Sequence, residues 1–113
     1  MAAKLDSEQG EQMGLYLALG GDDPVHGPAR REAFLNDHRT YVRGNDANIR
    51  MVGPLLQDDG KICGSMYIFE AENEGEVRDW FSREPFFNNG VYKDLLIKGF
   101  YAAKNELEPH GWP

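Results

Sequence analysis

The chain has 113 residues, a net charge of −7 and a single cysteine; 41% of its residues are apolar and 12% aromatic. That length makes one domain and not two, and the apolar and aromatic content excludes a disordered chain. The negative charge argues against nucleic acid and against an anionic membrane, since both repel an acidic surface.

The lone thiol, Cys63, cannot close an internal disulfide, and a reducing cytoplasm is the simple reading. No run of eighteen apolar residues exists, so no segment is expected to span a bilayer as a helix. Residues 1–12 are polar and acidic, lack the apolar stretch of a signal peptide, and are expected to be disordered. The folded domain is expected over 13–103, with a tail over 104–113 that Trp112 could anchor on a neighbour.

Met13–Leu19 is nearly all apolar and reads as a first strand, broken by Gly20-Gly21-Asp22-Asp23-Pro24. Pro28 suits the first turn of a helix over Ala29–Arg43. Phe34, Leu35, His38, Tyr41 and Val42 recur on one face of it. Gly44-Asn45-Asp46 ends that helix.

Asn48–Leu56 is the second strand, and Gly53-Pro54 marks it as an edge, a bulge or a strand end, because proline cannot donate to a ladder. Gln57-Asp58-Asp59-Gly60-Lys61 is a hairpin signal leading into the third strand, Ile62–Ala71. A second helix over Glu74–Ser82 carries Val77, Trp80 and Phe81 inward and acidic residues in its first turn, where the helix dipole favours them. Glu84–Gly90 is a turn or a single helical turn, and Val91–Ala102 is the last strand.

The order is therefore β-α-β-β-α-β, a ferredoxin-like α+β domain: a four-stranded antiparallel sheet with two helices on one face. Strands one, three and four carry consecutive apolar residues rather than a clean alternation, so the second sheet face is expected to be covered too. A second copy of the chain is the expected cover, giving a homodimer in which two sheets close a shared barrel.

Four pieces in order resemble the YciI-like (YCII-related) family. They are a basic residue (Arg30 or Arg31) on a helix with His38 near its middle, the pair Gly53-Pro54 closing the second strand, Gly64 in the third strand, and Glu84-Pro85-Phe86 followed by Gly90. The likeness covers roughly Gly14 to Ala102. It implies a dimeric α/β barrel of ferredoxin-like subunits, similar to muconolactone isomerases and small cofactor-free monooxygenases. It also implies a histidine–carboxylate pair, with the histidine at His38, and a reaction such as HCl removal from chlorinated or hydroxylated ring metabolites. The family usually has aspartate before the proline; this chain has Glu84.

The residues alone give a compatible reading. An imidazole on an apolar helix face is placed to move protons near neutral pH. The acids available to orient it are Glu84, Asp58 and Asp59; Asp37 is adjacent in sequence and points about 100° away on a helix. Arg30 and Arg31 are candidates to bind a carboxylate or phenolate. Gly53 and Pro54 are candidates for a pocket wall, where glycine lets a ligand approach the backbone. Tyr16 and Phe86 are candidates to line the pocket; Tyr67 and Tyr92, like Tyr16, could line it or fill the core, and the core is the better expectation for any one of the three tyrosines. Competing bland roles are a satisfied core histidine for His38 and a turn cap for Glu84.

The three histidines lie in separate elements without ligand spacing, so no metal is expected, and no nucleotide fingerprint or phosphate loop is present, so no cofactor is expected. The leading expectation is a cofactor-independent isomerase or lyase acting on a cyclic or aromatic-derived small molecule through His38 and a carboxylate. The alternatives are a non-catalytic dimeric binding module and, less favoured, a cofactor-free monooxygenase.

Overall fold

Strand β1 covers Gly14–Asp22, helix α1 Gly27–Gly44, β2 Ile49–Leu56, β3 Ile62–Ala71, α2 Glu74–Phe81, α3 Pro85–Asn88 and β4 Tyr92–Phe100 in the computed structural model, which describes residues 13–107. The sheet is antiparallel in the order β2-β3-β1-β4, the ferredoxin-like arrangement. Among the described residues it is an open sheet, with β2 and β4 at its edges, and the segment expected as a turn or a single helical turn forms the one-turn helix α3. The expectations for residues 1–12 and for Trp112 fall outside the described residues.

One boundary differs from the sequence reading in an instructive way. β1 does not break at Gly20-Gly21 but runs on to Asp22. Gly21 pairs with Gly64 of β3, and a Cβ on Gly64 would stand 2.4 Å from the carbonyl oxygen of Gly20. A Cβ on Gly20 would strike the Tyr92 ring at 2.8 Å. These glycines serve close approach within a strand rather than a turn. The chain reverses one residue later, where the Asp23 carboxylate accepts the backbone N–H groups of Val25 and His26. Those bonds, that of His26 foremost, hold the Asp23 carboxyl below its ordinary value.

The β2–β3 hairpin follows its Asp-Gly signal. Gly60 takes φ +85°, its N–H donates to Gln57 O at 2.9 Å, and Asp59 Oδ1 accepts Lys61 N at 2.9 Å. Pro54 sits in β2, an edge strand, where its missing donor costs least. Helix α2 begins at Asn73, whose side chain accepts Glu76 N.

Alternation along the strands turns Ala18, Tyr67, Phe69, Ala71 and Ile97 toward the helices, where they meet Val77, Phe81 and Phe86. Each large side chain buried there contributes about 1.5–3 kcal/mol. Tyr67, Phe69, Trp80 and Phe81 pack mostly edge to face, with centroids 4.9–5.7 Å apart. Tyr41 Oη donates to Trp80 O at 2.6 Å and Trp80 Nε1 donates to Asn45 O at 2.9 Å, tying the end of α1 to α2. Burial pushes the Tyr41 phenol up from its ordinary value.

Among the described residues the opposite sheet face carries no helix. Leu15, Leu17, Leu19, Met66, Ile68, Leu96 and Phe100 share it, and Leu96 and Phe100 remain 46% and 44% exposed. No helix among the described residues is long and apolar enough to cross a membrane.

Candidate functional site

Helix α1 brings His38 against the one-turn helix α3. Glu84 is the residue that caps that turn: its Oε1 accepts Phe86 N at 3.1 Å and its Oε2 accepts Phe87 N at 3.0 Å. Pro85 follows it at the first helical position, where a missing N–H is harmless. The same Oε1 meets His38 Nδ1. The Glu84 side chain is fully buried, whereas that of His38 keeps 14% exposure.

A carboxylate that already accepts two backbone N–H groups acts as an acceptor, so His38 Nδ1 is assigned as the donor to it. In a neutral ring of that tautomer the lone pair is on Nε2, which makes no hydrogen bond among the described residues. The imidazole lies flat on Phe86, with centroids 3.7 Å apart and planes 4° apart.

Arg31, two turns back along α1, also reaches this ring, its Cζ 4.8 Å from the Phe86 centroid. Its guanidinium is forked onto Asp22 through Nε to Oδ2 at 2.9 Å and Nη2 to Oδ1 at 2.8 Å. Nη2 further donates to Gly64 O at 3.3 Å and Ser65 Oγ at 3.2 Å. Nη1 makes no hydrogen bond among the described residues. Beneath it Tyr67 and Tyr92 share a buried hydroxyl–hydroxyl bond of 2.8 Å. Burial raises both phenols well above their ordinary value, and the negative charge of Glu84 adds to the effect.

His38, Glu84, Phe86 and Arg31 are thus brought together. Arg30 is spent elsewhere: its Nη1 donates to Gly90 O at 3.0 Å and lies where a Cβ on Gly90 would be, which ties α1 to a turn at φ +72°. Asp58 is not brought to the pair; it lies exposed with Asp59 at the tip of the β2–β3 hairpin. Gly53 and Pro54 lie on the open edge strand with nothing packed where a Gly53 Cβ would point. Tyr16 packs against the core four residues back from Gly20, about 13 Å along the strand. A shallow hollow lined by Asn48, Phe69, Val77 and Trp80 lies between β3 and α2, apart from the pair. Among the described residues no group of three His, Cys, Asp or Glu side chains could hold a metal.

Sequence reasoning missed Asp22, Ser65 and the role of the two tyrosine hydroxyls. Asp22 reads as part of a loop-breaking run, so nothing local marks it as the partner of Arg31.

Residues 14–101 match the model of the YCII-related domain. An uncharacterized protein of Haemophilus influenzae is 24% identical over 94 residues, spanning 76% of this chain and 96% of that protein. Among solved structures, the chain is similar to 5-chloro-2-hydroxyhydroquinone dehydrochlorinase from Burkholderia phenoliruptrix, in complex with 2,5-dihydroxybenzoquinone. That likeness has a TM-score of 0.68 and 27% identity, and it covers 77% of this chain and 93% of the dehydrochlorinase.

Proposed function

We propose that this chain, which belongs to the YCII-related family, is a small lyase-type enzyme in which His38 is the general base for an elimination on a cyclic or aromatic-derived metabolite. The observation that carries this reading is the His38–Glu84 pair: a fully buried carboxylate meets Nδ1, and in the tautomer with the proton on Nδ1 the Nε2 lone pair is the one that can accept a substrate proton. In the keto tautomer of a chlorinated hydroquinone, where the carbon bearing chlorine is tetrahedral, Nε2 takes the proton of a ring hydroxyl, the freed electron pair moves through the ring to form a carbonyl and a new carbon–carbon double bond, and the carbon–chlorine bond breaks to release chloride. Protonated Nε2 then returns its proton to water, so no external oxidant is required.

Arg31 fits the substrate-holding role, because its Nη1 makes no hydrogen bond among the described residues while the rest of the fork is anchored by Asp22. The fold it shares with a dehydrochlorinase at 27% identity supports the reaction class. Association of two copies through the sheet face turned away from the helices belongs to the same proposal, since Leu17, Leu19, Met66, Ile68 and Leu96 adjoin one another there, with Lys98 separating Leu96 from Phe100. A reducing cytoplasm suits the single free Cys63.

The test is chloride release from 5-chloro-2-hydroxyhydroquinone and related chlorinated hydroquinones. Wild-type turnover that falls about 10²–10⁴-fold in folded His38→Asn supports the base role; unchanged turnover in that variant overturns it. A second reading is a non-catalytic small-molecule-binding module, favoured by the fact that capping α3 alone accounts for the burial of Glu84. Ligand binding without turnover of any ring substrate would select that reading.

A further inference from the structure

We infer that Phe86 is a positioning residue for His38: it is the plate that fixes the direction in which Nε2 points. The inference rests on the proposed base role but is read out independently of activity. Phe86 is fully buried, so it does not meet a substrate directly.

The contacts form a closed loop. The imidazole lies on the Phe86 ring at 3.7 Å; the backbone N–H of the same Phe86 binds Glu84 Oε1; that oxygen receives Nδ1–H of the same imidazole. One residue therefore anchors both the plane of the base and the acceptor that sets its tautomer.

The plate is needed for a geometric reason. The Cβ–Cγ tether and the hydrogen bond at Nδ1 still leave the ring able to rock about the line joining those two anchors, and rocking swings Nε2 through an arc. Parallel contact over a whole face removes that freedom. A displacement of about 1 Å in a reacting group is enough to cost rate.

The Phe86 ring is itself held from other directions. It meets the Tyr92 ring edge-on at 6.0 Å, and the Arg31 guanidinium rests over it at 4.8 Å. The base and the guanidinium thus share one support, and the ring also sets the spacing between them.

Histidine-selective NMR on the full chain provides the test. In the wild type, the His38 ring carbon-bound protons should be shifted upfield by the Phe86 face, and the nitrogen shifts should report one tautomer with the proton on Nδ1. Phe86→Leu keeps an apolar side chain near the same volume and lacks the flat face. It is expected to lose the upfield shift, broaden or average the His38 signals, and lower kcat by about 10-fold with KM changed less than about 2-fold.

Phe86→Leu with His38 signals as sharp and single-tautomer as wild type overturns the inference. If that variant does not fold, an unshifted His38 signal in the wild type overturns it equally. A locked imidazole in a protein that turns over no ring substrate would sink the lyase reading and leave this one standing.

Discussion

His38 and Glu84 lie 46 positions apart and meet because α1 packs beside the single turn that Glu84 caps. The capping geometry and the pairing geometry use the same carboxylate. Stability and the proposed chemistry are therefore coupled at one side chain, and variants at Glu84 separate the two.

Glu84→Asp keeps an N-cap acceptor but shortens its reach toward His38 by one methylene. Its melting temperature should stay within a few degrees of wild type, while turnover falls at least about 10-fold through loss of base orientation. Glu84→Ala removes the cap and the partner together and should cost about 2–4 kcal/mol in urea unfolding. An Asp variant that loses as much stability as Ala would show that the cap, and not the reach, is the sensitive feature.

The Tyr67–Tyr92 hydroxyl pair makes an alkaline prediction. Burial raises both phenols above their ordinary value near 10. The folded state therefore holds protons that the unfolded state releases above that pH, and stability falls as pH rises past about 10. Tyr67→Phe,Tyr92→Phe should flatten this loss in urea melts at pH 9 to 11. Either single variant leaves its partner's hydroxyl buried and should cost about 1–3 kcal/mol, and the double variant less than the sum of the two.

Close approach between strands predicts a glycine hierarchy. Gly64→Ala forces Cβ onto the backbone oxygen of Gly20, and Gly20→Ala forces it into the Tyr92 ring. Each should destabilise by about 1–3 kcal/mol. Gly53→Ala meets nothing within 4 Å and should leave the melting curve nearly unchanged. A change in turnover for Gly53→Ala would revive that strand as part of a substrate wall.

Arg31→Lys tests the fork on Asp22. Lysine keeps the charge but cannot reproduce the paired Nε and Nη2 bonds or the bonds to Gly64 and Ser65. A loss of about 1–2 kcal/mol is expected in chemical denaturation. Asp58→Asn, at an exposed hairpin tip, should change neither stability nor turnover measurably.

Much of the fold was legible because its signals are local. Apolar spacing placed α1 and α2, the Asp-Gly pair placed the hairpin at Gly60, and the bounds of β3 came out residue for residue. His38 stood out as the one imidazole on an apolar helix stripe, and Glu84 as one of three available acids. The end of β1 was misread because Gly20-Gly21 looks like a turn when its neighbours across the sheet are unknown. Only the positions of Gly64 and Tyr92 show why β1 needs a glycine at Gly20 and β3 one at Gly64.

The sequence by itself determined the order of elements, the buried stripe of each helix and the presence of an imidazole among apolar neighbours, because periodicity is a property of residues close in the chain. Tertiary structure alone decided which acid meets His38, that Phe86 lies beneath it, and that Arg31 answers to Asp22 while Arg30 answers to Gly90. Those pairings join residues from separate elements. Their energies depend on how α1, α3 and the sheet dock, which no local pattern encodes.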